Sequence, residues 1–330
     1  MSNGGGSTPG KILAVIVLYK MAPRESESFI SLQRALQSGG DASRWKVMFF
    51  DNTPGGQAHL VVPESTMYES DGRNRGLAAA YNRAIEVAGE NDCEWLLTLD
   101  QDTSLGADFT EKIEAAVTYT ASIPVVAAVV PRITDGGRII SPNALSLKMF
   151  PKFFPPEFVG VALDSTTSAV NSASVLRVSA LEAMGGYDLR FWLDYSDAVM
   201  YRRLQKCGYR IFVAGNIDVE HELSVLKMKE RVSVERYEDI LGAESAFWDE
   251  YMGRVALPAL MLRFAYRMLY KFGRTGGTFP FFLVTIRFAL RRIFYSRSRR
   301  LQLWQESVQK KLATLDRPTL AESVRTDGTG

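Results

Sequence analysis

The amino-acid sequence predicts an α/β fold in which a mostly parallel sheet is flanked by helices. Its 330 residues are 46% hydrophobic and 23% charged, which is ordinary for a folded protein. Short apolar runs alternate with helical patterns in the amino-terminal part, as they do in doubly wound sheets. Glycine and proline are near average and the only cysteines are Cys93 and Cys207, so a collagen-like chain and a disulfide scaffold are excluded. The two thiols favour a reducing compartment.

The first elements can be assigned in order along the chain. The β-branched run Ile12–Leu18 predicts a strand buried on both faces, and Ser26–Gln37 predicts the helix that follows it. The same reasoning predicts strands at Val47–Phe50, Trp95–Leu99 and Val125–Val130. It predicts helices between them at Gly76–Ala88 and Ala107–Tyr119. Because ligands of parallel α/β sheets bind outside the carboxyl ends of the strands, polar residues at these ends are candidate site residues.

The pattern changes after Thr166. The sequence there predicts a strand at Ser168–Arg177 and helices at Ser179–Met184 and Asp194–Lys206. Two short strands are predicted at Tyr209–Val213 and Ile217–Val219. Glycine follows both helices, as is common at helix ends. We expect a loose leader over residues 1–10 without the features of a secretory signal, an α/β domain over 11–225, a helical region over 226–312 and a flexible tail over 313–330.

The net charge of +2 conceals a basic carboxyl-terminal region, in which Glu306 is the only acid between Arg254 and Lys311. Residues Arg263, Arg267, Lys271 and Arg274 are spaced by four, four and three positions, so they share one helical face, and Arg287 and Arg291 repeat the spacing.

This basic region has two interpretations. The helices either pack on the core with a solvated basic face, with their apolar faces available for a homodimer, or lie on an anionic membrane surface. A nucleic-acid partner is not indicated, because none of the usual motifs accompanies the charge. No stretch reaches the roughly 18 apolar residues of a membrane-spanning helix.

Two carboxylates follow the predicted strand Trp95–Leu99 at the point where it ends. In Asp100-Gln101-Asp102 they are one residue apart, so both can point into a cleft. Burying them together is costly unless a hard divalent cation such as Mg²⁺ or Mn²⁺ neutralises them. The alternative is a turn or a cap for the helix that follows.

Three further features supply candidate site residues. His221 follows a short strand and is either a metal ligand or a structural histidine, and its acidic neighbours favour the protonated ring. Asp194 and Asp197 open a predicted helix nearly on one face, where they either complement the helix dipole or supply a general base. The segment Asn74–Asn82 begins a helix with small residues, which allow either a ligand or the sheet to approach closely.

Taken together, these segments resemble the family 2 glycosyltransferases of the GT-A fold, and most of all the bacterial rhamnosyltransferase-like members. The resembling segments are Val15–Tyr19, Asp51-Asn52, Asn74–Asn82, Trp95–Thr103, which contains the DxD motif, and Gly185–Asp188 followed by Phe191–Asp197. The sequence departs from the family at Val199, where relatives have an acidic residue two positions after the base. It also lacks the Q-x-x-R-W signature of processive synthases, which implies that one or a few sugars are added per encounter.

The resemblance implies an inverting, metal-dependent transferase. Asp197 would be the general base, with Asp194 as a second candidate because of the departure at Val199. The metal, Mg²⁺ or Mn²⁺, would be held by Asp100, Asp102 and His221. The donor would be a nucleotide-diphosphate sugar, such as dTDP-rhamnose or a UDP- or GDP-sugar, and would contact Leu18, Tyr19, Asp51, Asn74, Gly76, Asn82, Asp100 and Gln101.

The basic carboxyl-terminal helices, taken with the resemblance, predict a setting for the enzyme. It would be cytoplasmic and peripheral at the inner face of the cell membrane, and would act on a lipid-linked or glycan acceptor in cell-surface polysaccharide synthesis such as that of O-antigen. A sugar nucleotidyltransferase is an alternative, but Tyr19–Pro23 lacks the glycine-rich phosphate loop that it would need. A non-catalytic partner that binds nucleotide sugar is another, and Val199 is its only support.

Overall fold

A computed structural model describes residues 10–57, 60–146, 150–221, 232–253, 260–266 and 279–315. Within these residues, strands and helices alternate first and helices follow. The strands are β1 (Lys11–Leu18), β2 (Trp45–Asp51), β3 (Thr66–Ser70), β4 (Cys93–Asp100), β5 (Ser104–Leu105), β6 (Val126–Asp135), β7 (Arg138–Ser141), β8 (Asn143–Ser146), β9 (Phe150–Phe153), β10 (Val159–Ala162), β11 (Ser174–Arg177) and β12 (Arg210–Glu220).

Ten of the described strands form one sheet. Its main order is β10-β12-β6-β11-β4-β1-β2-β3, with β5 beside β12 and β7 beside β6, while β8 and β9 pair separately. Strand β1 is parallel to both β2 and β4, so these three strands end at the same edge. Strand β11 is antiparallel to β4 and to β6, which makes the whole sheet mixed.

Helices cover both faces of the sheet. The described helices are α1 (Glu27–Ser38), α2 (Gly76–Glu90), α3 (Phe109–Ala121), α4 (Val178–Ala183), α5 (Ser196–Lys206), α6 (Val234–Phe247), α7 (Phe279–Phe294) and α8 (Arg297–Leu315), with a π-helical turn at Trp248–Met252 after α6. Residues 260–266 are also helical. The predicted α/β fold, a sheet flanked by helices with a helical extension, is therefore confirmed.

The alternation of side chains along β1 explains why both faces need a cover. Leu13 and Val15 pack in a core with α2, α4 and α5, whereas Ile12 and Ile16 pack in a second core with α1 and α3. Successive residues of a strand point to opposite faces, so a continuous apolar run requires apolar neighbours on both.

The structure differs from the predicted elements in three places. The strand predicted at Ser168–Arg177 begins only at β11, because Ala173 has a left-handed φ of 61° and breaks the extended run. The two short strands predicted at Tyr209–Val213 and Ile217–Val219 are one strand, β12, whose pairing with β6 shifts register between Ala214 and Asp218.

The third difference concerns the helix predicted at Asp194–Lys206. It begins at Ser196, because Tyr195 also has a left-handed φ of 61°. The prediction that Asp194 and Asp197 share a helix face is therefore wrong.

The carboxyl-terminal helices form a third apolar core with the start of α5. It contains Phe191, Val199, Tyr237, Phe264 and Phe288, among others. The helical region therefore packs directly against the segment that leads into α5. The predicted boundary at residue 225 lies outside the described residues.

Two of the basic residues in this region, Arg263 and Arg287, pair with acids of α6. Arg263 turns to the fully buried Glu244, with a distance of 2.8 Å between Nη2 and Oε1, and Arg287 pairs with Glu238. Arg263, whose side chain is 36% exposed, thus has an acidic partner on α6 that its spacing in the sequence did not predict. The other members of the predicted helical face, Arg267, Lys271 and Arg274, lie outside the described residues. None of the helices in the described ranges is both long and apolar enough to cross a membrane.

Candidate active site

The carboxyl ends of β1, β2 and β4 bring three predicted segments together. Leu18 lies opposite Asp51 in the register, and Val17 lies opposite Asp100. The main-chain nitrogen of Tyr19 donates a hydrogen bond of 2.8 Å to Oε1 of Gln101. The residues that end these strands therefore form one edge, as the parallel arrangement predicted.

The β2 side of this edge is a rigid polar corner. Asp51 is fully buried, and its carboxylate accepts hydrogen bonds from the main chain of Thr53, from Gln57 and from the hydroxyl of Tyr68 at 2.8, 3.0 and 2.6 Å. Burial and the bond to Asp51 raise the pKa of Tyr68, so it stays a donor. The amide oxygen of Asn52 is buried without a hydrogen-bond partner in the described part of the chain.

Tyr19 and Leu18 offer different groups to a ligand. Tyr19 is 42% exposed and its ring has the Nζ of Lys20 5.1 Å from its centroid, whereas Leu18 is fully buried in the core. The carbonyl oxygen of Leu18 accepts a 2.8 Å hydrogen bond from the main chain of Asn52, which ties the ends of β1 and β2 together. Tyr19 is therefore the group at this corner that can stack on a planar ligand.

His221 lies between the two carboxylates at the end of β4. Its Nε2 is 3.4 Å from Oδ2 of Asp100, and its Nδ1 is 3.6 Å from Oδ1 of Asp102. The main chain of His221 donates to the carbonyl of Thr134 at 2.9 Å, so β12 and β6 place the ring here. Burial lowers the pKa of His221, but the hydrogen bond and charge of Asp100, with Asp102 and Asp135, outweigh it and raise the pKa overall.

The donor set fits a hard divalent cation in chemistry but is not pre-arranged around one point. Carboxylate oxygens suit Mg²⁺ and Mn²⁺, and one imidazole is compatible with Mn²⁺. In the described residues, no three His, Cys, Asp or Glu side chains already surround a common point. An imidazole nitrogen that binds an ion carries no proton, and the side chain of Asp102 is 54% exposed.

A layer of hydroxyl groups supports this edge. The sequence pattern did not predict this layer. The main chain of Asp100 donates to Ser172 at 3.1 Å, and Thr103 contacts both Ser172 and Nδ1 of His221, the latter at 3.1 Å. Ser28 of α1 bonds to the carbonyl groups of Asp100 and Thr103. Ser172 belongs to the loop wrongly predicted as strand, and the polar pair Asn171-Ser172 was its only signal.

Asp197 lies in the first turn of α5 and is electrostatically coupled to the same edge. Its Oδ1 accepts a 2.6 Å hydrogen bond from the main chain of Ala198. Burial, with smaller contributions from the charges of Asp100 and Asp194, raises the pKa of Asp197 from 3.8 to about 6. A carboxylate with a pKa near neutrality is suited to accept a proton during a reaction.

Hydrogen bonds connect α5 to the end of β4. Asn171 donates to Ser196 at 3.0 Å and accepts from the hydroxyl of Tyr187 at 3.1 Å. The hydroxyl of Tyr81 lies 3.4 Å from Oδ1 of Asp100. Burial raises the pKa of both tyrosines, so both hydroxyls stay protonated. The network sets the position of α5 relative to the carboxylate edge.

Asp194 points away from this edge. Arg236 of α6 donates two hydrogen bonds to its carboxylate, and Nη2 lies 2.7 Å from Oδ1. Burial raises the pKa of Asp194, and Arg236 opposes that effect. Because the left-handed Tyr195 separates them, one of the two aspartates faces the helical region while the other is coupled to the site.

The segment Asn74–Asn82 packs mainly against the loop before α5. Gly76 has a φ of 82°, and a Cβ there would collide with the carbonyl of Trp192, which accepts a 3.1 Å hydrogen bond from the main chain of Ala78. The side chain of Asn82 bonds to the main chain of Tyr187, at 2.6 and 3.0 Å. These contacts support the tight-packing interpretation for Gly76 and Asn82, and donor contact at this segment, including Asn74, stays a prediction.

The fold is shared with solved glycosyltransferase structures. GalNAc-T7, crystallised with UDP, GalNAc and Mn²⁺, has a TM-score of 0.53 at 12% identity, over 92% of this chain and 58% of that one. Residues 1–349 of S. aureus TarS, in complex with UDP-GlcNAc, have a TM-score of 0.53 at 10% identity, over 92% of each chain. The chain has the GT-A fold. The longer TarS chain is covered over only 45% of its length.

The comparisons establish no more than this architecture. No protein-family model matches the sequence, and no curated protein does. At 10% and 12% identity a shared fold carries neither a reaction nor a substrate with it. The reaction has to be argued from the site itself.

Proposed function

We propose that this protein is an inverting glycosyltransferase that moves a sugar from a nucleotide-diphosphate donor to an acceptor hydroxyl. The observation that carries the proposal is the pairing of Asp197, whose raised pKa suits a general base, with the carboxylate edge of Asp100, Asp102 and His221. A proton acceptor that is electrostatically coupled to a candidate diphosphate-binding edge supplies the two parts that this reaction needs.

The donor would lie along the ends of β1, β2 and β4. The exposed ring of Tyr19 is suited to stack on the nucleotide base, and the buried corner of Asp51 and Asn52 to hydrogen-bond its edge. Asp100 and Asp102, with His221, would hold Mg²⁺ or Mn²⁺. When bound, the ion supplies positive charge that stabilises the departing nucleoside diphosphate.

Asp197 would take the proton of the acceptor hydroxyl as its oxygen attacks the anomeric carbon. The carbon–oxygen bond to the diphosphate breaks as the new glycosidic bond forms, and the pair of electrons leaves with the phosphate. A single displacement with a base and no enzyme nucleophile inverts the anomeric centre, as in inverting hydrolases. Asp194 is paired with Arg236, so Asp197 is the base in this proposal.

The donor and acceptor classes follow from weaker observations. The GalNAc-T7 and TarS structures contain UDP or UDP-GlcNAc, whereas the sequence resemblance favours dTDP-rhamnose. UDP-, GDP- and dTDP-sugars are therefore the donors to compare. A lipid-linked or glycan acceptor in cell-surface polysaccharide synthesis is the matching acceptor class.

The proposal is tested by incubating the protein with each donor and Mn²⁺ and measuring release of the nucleoside diphosphate, with and without glycan acceptors. We expect release with one donor class, abolished in Asp197→Asn and unchanged in Glu306→Gln, a substitution on the exposed surface of α8. Absence of release with every donor, or full release by Asp197→Asn, would overturn it. Release of pyrophosphate from a nucleoside triphosphate and a sugar phosphate would identify a nucleotidyltransferase instead.

A further inference from the structure

Helix α7 turns an apolar face outward. Its exposed large side chains are Phe279, Leu283, Leu290, Ile293 and Phe294, with exposed fractions of 62, 48, 46, 62 and 74%. At 3.6 residues per turn these five positions fall within an arc of roughly 100°. The residues that α7 buries, among them Val284, Phe288 and Arg292, lie on the opposite side. The helix therefore has two apolar faces, and the described protein covers one of them.

This face is too continuous to be ordinary surface. Single exposed apolar side chains are common and need no explanation, but a contiguous apolar strip along a helix marks a contact surface. The strip continues into Tyr295, which is 44% exposed, so it ends in three consecutive exposed apolar residues from Ile293 onward.

Basic residues border the strip. Helices α7 and α8 together contain eight Arg and Lys residues and one acid, Glu306. Four of the eight, Arg287, Arg292, Arg300 and Lys311, pair with acids of α6 and the turn after it. The other four, Arg291, Arg297, Arg299 and Lys310, form no ion pair with any described residue. The side of the region left without acids is thus apolar along α7 and basic at its end.

The charge selects among the possible occupants of this face. A second copy of this chain would cover the apolar strip, but α7 and α8 of that copy contain only one acid, Glu306, to meet the four basic residues that form no ion pair with a described residue. A nucleic acid would match the charge but would leave the apolar strip in water. An anionic bilayer matches both, because acyl chains cover apolar side chains while headgroup phosphates meet arginine.

We propose that the α7 strip docks on an anionic lipid surface. Phe279, Leu283, Leu290, Ile293 and Phe294 enter the boundary between headgroups and acyl chains, and Arg297 and Arg299 meet the lipid phosphates. The helix lies in the plane of the surface, in agreement with the finding that no described helix is able to span it. The residues that do this differ from the basic stripe predicted from the sequence, of which Arg263 pairs with a buried acid.

The experiment is co-sedimentation of the full chain with phosphatidylcholine vesicles that contain or lack phosphatidylglycerol. We expect binding only to the anionic vesicles, weakened at high salt. The double variant Ile293→Ser/Phe294→Ser should bind at least tenfold more weakly with an unchanged unfolding temperature, since both residues are exposed. Leu163→Ser, which removes an 82% exposed leucine after β10, is the matched control and should bind like the wild type.

A second pair of variants separates charge from apolar contact. Arg297→Gln and Arg299→Gln should each weaken binding about fivefold on anionic vesicles. Unchanged binding by the double serine variant would overturn the proposal. So would a dimer in light scattering that the same variant dissociates, without any vesicle binding. No sugar donor is present in these measurements, so their outcome is independent of whether the protein transfers sugar.

Discussion

Acidic residues at the carboxylate edge of the sheet and acidic residues in the carboxyl-terminal helices differ in their basic partners. In the helices each buried acid has an arginine: Glu244 pairs with Arg263, and Asp249 pairs with both Arg292 and Arg300. At the edge, neither Asp100 nor Asp197 pairs with an arginine or lysine among the described residues. In the described part of the chain, the basic side chain beside Asp100 is that of His221.

The difference separates structural charge from functional charge. A buried acid matched by arginine has its charge compensated and helps to hold two helices in one arrangement. An unmatched acid destabilises the folded state, and such a cost is retained where a ligand or a reaction uses the charge. The raised pKa of Asp197 is the clearest sign of this imbalance, because burial is its main cause.

The substitution Asp197→Asn should have the largest effect on the difference between the two regions. We expect transfer to fall by about 10²- to 10⁴-fold, the usual contribution of a general base. The folded protein should become more stable at neutral pH by up to about 3 kcal/mol, because a pKa raised from 3.8 to about 6 means that ionised Asp197 destabilises the native state. A transfer assay and denaturant unfolding measure the two effects.

The pH dependence of stability supplies the control for this variant. The contribution of protonated Asp197 is fully present below pH 3.8 and is lost as the pH rises through about 6, so the gain from asparagine should shrink in acid. A variant that is less stable than the wild type at pH 7 would contradict the account.

In the helical region the same kind of substitution should have the opposite effect on stability. Asp249→Asn leaves the buried guanidinium group of Arg292 and the partly buried one of Arg300 without their carboxylate. Breaking one side of a buried ion pair costs about 3 to 5 kcal/mol. Unfolding experiments should show this loss, with Glu306→Gln on exposed α8 within about 0.5 kcal/mol of the wild type. A loss below about 1 kcal/mol would mean that the pairs are not structural.

A smaller effect tests the place where the two regions meet. The charge of Asp194 contributes to the raised pKa of Asp197, and Arg236 neutralises Asp194. Asp194→Asn should therefore move the acid limb of kcat/KM to lower pH, whereas Arg236→Gln should move it to higher pH. Both shifts should be less than about one unit, since the charges interact through partly solvated protein.

The two variants are each other's control, because both break the same ion pair. Shifts in the same direction would show that lost packing, rather than charge, changes the base. If neither substitution moves the acid limb of kcat/KM, then the charge of Asp194 has no influence on the pKa of Asp197.

Local sequence patterns were enough to predict the parallel centre of the sheet. Continuous apolar runs such as Ile12–Leu18 place Tyr19, Asp51 and Asp100 at strand ends, and parallel strands share an edge. The edge strands were missed because they are short or largely polar. Strand β3, with the sequence TMYES, lacks the continuous apolar run of a buried strand.

The failures at the site have a common physical origin in backbone conformation. Ala173 and Tyr195 have left-handed φ values that nothing in their residue type announces, so the loop at Asn171-Ser172 and the start of α5 were misplaced. The acidic partner of Arg263 was missed for another reason. Arg263 looks free in sequence, and its partner Glu244 lies on a different helix, so only tertiary packing reveals the pair.

The central claim is that the carboxylates at the end of β4, Asp100 and Asp102, bind a divalent ion that in turn holds the donor diphosphate. Calorimetric titration of UDP, GDP and dTDP into the protein, with and without Mn²⁺, tests it most directly. We expect one nucleotide to bind in the presence of Mn²⁺, at least tenfold more weakly without the ion, and equally weakly to Asp102→Asn with the ion present. Equal affinity in all three conditions would contradict the claim.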